Sequence, residues 1–112
     1  MSVPSYMIGA ERRPWPSTIR QVQRVVALYY GVRLSEMLSR QRTPLLSWPR
    51  HVAIFFTDRI FRVGAVAIGK AFDRDHGTVP HAVRHVMDVR QTEPEVRADL
   101  QYLAELLNCK DV

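Results

Sequence analysis

Residues 72–86 read Phe72-Asp73-Arg74-Asp75-His76-Gly77-Thr78-Val79-Pro80-His81-Ala82-Val83-Arg84-His85-Val86. Val79, Ala82, Val83 and Val86 recur at i, i+3, i+4 and i+7, which is the apolar stripe of an amphipathic helix. At 100° per residue, Gly77, His81, Arg84 and Asp88 fall on the opposite face, with His85 at its edge. Asp75 stands where an N-cap belongs, its carboxylate able to accept from free backbone N–H groups. The segment before it, Val63 to Phe72, is short, apolar and rich in Gly and Ala. Two closely spaced helices, the second carrying His, Thr and Arg on its exposed N-terminal half, have the pattern of a helix-turn-helix.

Working outward, residues 1–16 contain Pro4, Pro14 and Pro16 without periodicity and read as a flexible arm. Ser17 is the expected cap of a first helix carrying Ile19, Val22, Val25, Val26 and Tyr29 on one stripe, ended by Gly31. A short second helix has Ser35 near its start and turns Met37 and Leu38 inward. Ser39 to Trp48 reads as a loop bearing Arg40 and Arg42, and Pro49 as the first-turn residue of a third helix. That helix is expected to bury Val52, Phe55, Phe56 and Ile60, leaving Arg50, His51 and Arg59 for solvent or a partner. Val63 to Phe72 makes the fourth helix, with Ile68 and Phe72 inward, and the fifth runs from about Asp75 to Arg90. Thr92-Glu-Pro-Glu95 is a capping-box pattern, opening a sixth helix that packs through Val96, Leu100, Leu103 and Leu107. No segment has strand periodicity. The reading is all-α, a six-helix single domain over residues 17–108 with a tail at 109–112.

The 112 residues suffice for one core, and an apolar share of 46% is that of a globular chain. No apolar run approaches membrane-spanning length, and the N-terminus lacks the charged and apolar regions of a secretory signal. Cys109 is alone, which excludes an intramolecular disulfide and fits a reducing compartment. The formal charge is +5, and of sixteen cationic residues only Lys70 and Lys110 are lysine. Residues 1–62 hold ten Arg against three acids, whereas residues 63–112 hold six cations against eight acids. A basic, arginine-dominated half points to a polyanion partner, unless the charges merely solvate the surface. His81 and His85, one helical turn apart, lack a Cys pair or a third ligand at sensible spacing, so no metal site and no cofactor are expected. Asp75, His76 and Thr78 sit on one turn and do not converge as a nucleophile and base do, so no catalytic residue is assigned. Trp15 and Trp48 read as closing a small core.

From about Thr18 to Leu107 the chain resembles the C-terminal DNA-binding domain of DnaA, the bacterial chromosomal replication initiator. The resemblance rests on Val22-Gln-Arg-Val-Val-Ala-Leu-Tyr-Tyr-Gly31, Leu38-Ser-Arg-Gln-Arg-Thr43, Pro49-Arg50 and Ile68-Gly-Lys-Ala-Phe72. It ends in Arg74-Asp75-His76-x-Thr78-Val79-x-His81-Ala82-x-Arg84, the most specific block. The resemblance implies a fold of the Trp-repressor-like kind and recognition of duplex DNA. It places the start of the recognition helix, Asp75, His76, Gly77 and Thr78, against base edges in the major groove. It places Arg42 in the minor groove and Arg50 after the helix-opening proline. Arg40, His51, Lys70, Arg74, His81 and Arg84 complete the expected DNA-binding set. Such chemistry is sound: carboxylate accepts from cytosine N4, imidazole meets purine N7, and Arg senses a narrow A·T-rich minor groove.

Departures from the family pattern are specific. Gly77 replaces a threonine, Pro80 a leucine, and the usual double Gly before Arg74 is shortened to Asp73. His51 stands at a position usually occupied by an amide, and Pro44, Leu45, Leu46 and Trp48 replace a more basic loop. These 112 residues contain no Gly-x-x-x-x-Gly-Lys-Ser/Thr sequence. The resemblance therefore implies a sequence-biased DNA reader lacking the ATPase, a regulator of replication or transcription in a bacterium or phage, cytoplasmic and nucleoid-associated. The competing expectation is a protein-interaction adaptor that kept the fold but lost tight DNA binding. It would use the Leu45–Trp48 stretch to engage an initiator or polymerase component.

Overall fold

A computed structural model describes residues 15–110 and Val112, so most of the expected arm, residues 1–14, lies outside the described residues. Six helices follow one another: α1 Ile19–Tyr30, α2 Leu34–Met37, α3 Pro44–Phe61, α4 Ala65–Phe72, α5 Thr78–Thr92 and α6 Pro94–Leu106. No strand occurs among the described residues.

α3 runs through the middle of the domain, packing on α1 at one side and α5 at the other. Its sequence explains that position. Val52 to Thr57 are buried without interruption, the pattern of a helix covered all round. Phe55 and Phe56 meet edge-to-face at 5.3 Å, and Ile68, Phe72, Val86, Leu100 and Leu103 close the same core. Two buried polar side chains find backbone partners: Thr57 Oγ1 donates to Ala53 O at 2.7 Å within α3, and Gln23 Nε2 donates to Ala71 O at 3.1 Å. The latter ties α1 to the end of α4.

Several element ends differ from the sequence expectation. The cap of α1 is Thr18 rather than Ser17, because Gln21 closes a capping box with it. α3 begins at Pro44, not Pro49: Thr43 caps it, Pro44 takes the first helical position, and Pro49 lies within the helix. The expected ten-residue loop thus shrinks to Ser39–Thr43. α4 starts at Ala65, after Gly64 at φ +89°. The Thr92–Glu95 capping box does not form. α5 extends through Thr92, whose hydroxyl faces back to Val89 O, and Glu93 separates the two helices. Pro94 then opens α6 as a first-turn residue. Trp15 Nε1 donates to Leu106 O at 3.1 Å, and Trp48 Nε1 donates to Tyr30 Oη at 3.2 Å.

Candidate nucleic-acid interface

α4, residues 73–77 and α5 form the helix-turn-helix. α4 ends in a left-handed residue, Asp73 at φ +53°, where the family pattern has glycine. The residue after it doubles back so closely that Arg74 N donates to Gly69 O at 2.7 Å. A Cβ on Gly69 would stand 2.7 Å from Arg74 O and 3.4 Å from the His76 backbone. Gly69 is therefore the contact point between the first helix of the motif and its turn, a role that its place in an apolar helix does not announce.

Asp75 does not cap α5 directly, as the sequence suggests. Gly77 is the residue before the first helical position, and Asp75 Oδ2 accepts from Gly77 N at 3.3 Å, one turn early. Thr78 N and Val79 N donate to Asp75 O and His76 O. Asp75, His76 and Gly77 consequently form a tight exposed turn, and Thr78 is the first residue of the helix proper. His76 Nδ1 lies 3.5 Å from Asp75 Oδ1, with both side chains mostly in solvent.

This turn borders a groove of about 580 Å³ whose other walls are the Ser39–Thr43 loop and the first turns of α3. Its lining comprises Arg40, Arg42, Ser47, Arg50, His51, Arg74, Asp75, Thr78 and His81. Four of these are arginines, and they divide by role. Arg50 is only 4% exposed, contrary to the expectation that it is available to a partner. Its Nε donates to Met37 O at 2.6 Å, and Nη2 donates to Ser39 O and Gln41 O at 2.9 and 3.0 Å. Arg74 is half-buried, and it donates to Phe72 O, Asp73 O and Ser39 O. Burial first lowers the pKa of both guanidiniums, helped by the charge of Arg74 at Arg50 and of Arg40 at Arg74, and both nevertheless remain charged. Arg50 and Arg74 fasten the loop from two sides. Arg40 pairs with Asp73 at 3.2 Å in the open, an arrangement worth little by itself. Arg42 is exposed and makes no hydrogen bond or ion pair among the described residues.

A histidine wall closes one side. His51 Nδ1 and His85 Nδ1 are 3.0 Å apart, so one nitrogen donates and the other accepts. His81 stacks on His85 at 6.5 Å, and Trp48 meets His85 edge-on at 5.6 Å. Desolvation, followed by the charges of His85, His81, Arg50 and Arg74, pushes the His51 pKa down to about 4. The unfolded value is near 6.5, so the unfolded chain binds more protons than the folded one between these limits. The stability contribution is thus complete above about pH 6.5 and lost as pH falls toward 4. We expect urea melts of wild type to lose roughly 1–2 kcal/mol in that window relative to His51→Gln, after allowance for partial solvent screening. Identical pH profiles for the two proteins contradict it.

The groove thus gathers eight of the residues singled out from sequence, with His76 and Gly77 at its lip. Lys70 and Arg84 are exposed but line no part of it; Arg84 borders a separate hollow with Asp58, Met87 and Asp88. Ser47 was not anticipated, and the contact of His85 with His51 was not either. Ser47 joins Arg50 and His51 on one face, at i, i+3 and i+4, only once α3 is begun at Pro44. Among the described residues no group of three His, Cys, Asp or Glu is placed to hold a metal, and no helix is long and apolar enough to cross a membrane.

Comparison with known proteins agrees with this architecture. The family model described as the bacterial dnaA protein helix-turn-helix matches residues 19–86, from the start of α1 into α5. The chromosomal replication initiator protein DnaA of Cereibacter sphaeroides is 36% identical over 91 residues, covering 80% of this chain and 20% of that protein. That of Aromatoleum aromaticum is 35% identical over 91 residues, covering 80% and 19%. The chain therefore spans about a fifth of the length of these curated relatives. A crystal structure of a DNA replication initiation factor superposes with a TM-score of 0.73 at 26% identity, covering 89% of this chain and 31% of that one. With the family model spanning four whole helices and the first part of α5, and the helix-turn-helix in place, this chain belongs to the bacterial DnaA helix-turn-helix family.

Proposed function

We propose that the chain binds double-stranded DNA with a sequence bias and regulates replication or transcription through that binding. The observation that carries this reading is the groove at which an arginine-bearing loop meets the start of the second helix of a DnaA-type helix-turn-helix. In the proposed complex the Asp75–Thr78 turn and the first turns of α5 enter the major groove, where exposed His76 and half-buried Thr78 meet base edges. Arg42, which has no competing partner among the described residues, enters the adjacent minor groove. Arg40, Lys70 and Arg84 contact phosphates from the flanks. His51 and His81 line the same wall, and Arg50 and Arg74 hold the loop at the angle the duplex requires. Gly77 leaves a gap in the reading surface, so discrimination between sequences is modest.

The test is an anisotropy titration on duplex DNA at two salt concentrations. With about four phosphates neutralised, log affinity falls against log salt with a slope of roughly −3 to −4. One observation favours a second reading: Leu45, in the first turn of α3 beside the arginine loop, is 77% exposed, which suits a protein partner of the replication or transcription machinery. No binding at low salt, or a flat salt response, supports that adaptor reading instead.

A further inference from the structure

Away from the arginine groove, α1 and α6 run antiparallel with an apolar furrow between them. Trp15, just before α1, reaches Leu106 at the end of α6, and Tyr29, near the end of α1, donates to Asp99 in the middle of α6. The furrow, about 370 Å³, is lined by Trp15, Val25, Leu28, Tyr29, Tyr102 and Leu106 and shares no residue with the arginine groove. Leu28 is 82% exposed, Tyr102 52%, Trp15 47% and Leu106 44%. At about 200 Å² per large side chain, these four leave roughly 400–500 Å² of contiguous apolar surface. A patch of that size matches the largest on a typical monomer, which is often functional.

The charges beside the furrow say what fits it. Arg20 and Arg24 precede Leu28 by eight and four residues and lie on the outer flank of α1. On α6, Glu105 lies on the flank turned away from α1. All three are exposed, and none makes an ion pair among the described residues. Arg20 and Arg24 on α1, and Glu105 on α6, all fall between the Trp15–Leu106 and Tyr29–Asp99 contacts. One face thus has a basic edge, an apolar centre and an acidic edge. A two-fold axis along the furrow sets the basic edge of one copy on the acidic edge of the other, whereas an axis across it opposes like charges. Such a face is complementary to itself.

We infer that this furrow is the interface of a homodimer, two copies packing through Leu28, Tyr102 and Leu106 with Arg24 of each copy opposite Glu105 of the other. The apolar patch supplies the dry centre of an interface and the charges its rim. A stable dimer buries about 800 Å² on each partner, so the patch with its rim accounts for a reversible dimer rather than an obligate one. Because the furrow and the arginine groove share no lining residue, the dimer leaves both grooves open.

The experiment is sedimentation equilibrium of the whole chain without DNA, so its failure leaves the DNA-binding reading untouched. Wild type is expected to rise from 12.9 kDa toward twice that mass with concentration. Leu28→Glu is expected to stay at the monomer mass while keeping its helical circular dichroism, since Leu28 is outside the core. Arg24→Glu alone raises the dissociation constant roughly three- to tenfold, and adding Glu105→Arg restores it. A wild type that stays at monomer mass up to about 1 mM, the limit of weak association, overturns the inference. So does a dimer that Leu28→Glu leaves intact, or a charge-swapped double variant no better than Arg24→Glu.

Discussion

Arg50→Ala is expected to lower stability by about 2–4 kcal/mol and to weaken binding to every duplex alike. The guanidinium serves three carbonyls, Met37 O, Ser39 O and Gln41 O, at the end of α2 and along the loop that carries Arg40 and Arg42. Removing it leaves acceptors without their donor in a largely enclosed site and frees the loop at its root. Arg74, which also donates to Ser39 O, holds only one of those carbonyls. Arg50→Lys should recover little, because a single ammonium on a flexible stem cannot reproduce the planar fork that reaches three acceptors. Urea denaturation of both variants checks the first part, and anisotropy on a preferred and a scrambled duplex the second. Wild-type stability in Arg50→Ala means that water satisfies the carbonyls and that the loop does not depend on this residue.

Gly69→Ala is expected to destabilise the domain by about 2–3 kcal/mol, against the usual preference of a helix for alanine. Propensity alone favours the substitution by up to about 1 kcal/mol. Opposing it, the new Cβ would lie 2.7 Å from Arg74 O and 3.4 Å from the His76 backbone. Each neighbour is main chain in a tight turn, with Arg74 N already bonded to Gly69 O, so none can step aside as a side-chain tip would. Overpacking of this kind commonly costs about 1–3 kcal/mol and displaces backbone. The displaced backbone here is the Asp75–Gly77 turn, so discrimination between DNA sequences should fall along with the melting temperature. A variant that melts at or above wild type disproves the close approach.

The fold class was legible in the chain because helical periodicity is local. Val79, Ala82 and Val86 proved buried, His81, Arg84 and Asp88 proved exposed, and Gly31 ends α1 in the left-handed conformation. Those assignments need only the 3.6-residue period and a glycine's freedom at positive φ. The start of α3 was misjudged because two prolines, Pro44 and Pro49, each offer a first-turn position. Thr43 decides between them, since its hydroxyl accepts from Leu45 N. The Thr92–Glu95 pattern failed for a related reason: α5 continued through the residue expected to cap its successor.

By itself, then, the sequence determined the helices, their apolar faces, the helix-turn-helix and the family, because each depends on neighbours within a turn or two or on an ordered set of motifs. Only the tertiary structure decided which of the cationic residues are free to act. Arg42 and Arg50 are alike in sequence, eight residues apart on either side of a helix start. The packing of α2 against α3 places the carbonyls of Met37, Ser39 and Gln41 around Arg50 and leaves Arg42 in solvent. In the same way, His51 and His85 are 34 residues apart in the chain, and their 3.0 Å contact exists only because α5 lies along α3. A side chain's charge is written in the sequence. Whether that charge is spent inside the fold depends on acceptors and neighbours brought there from distant segments, and no local pattern encodes them.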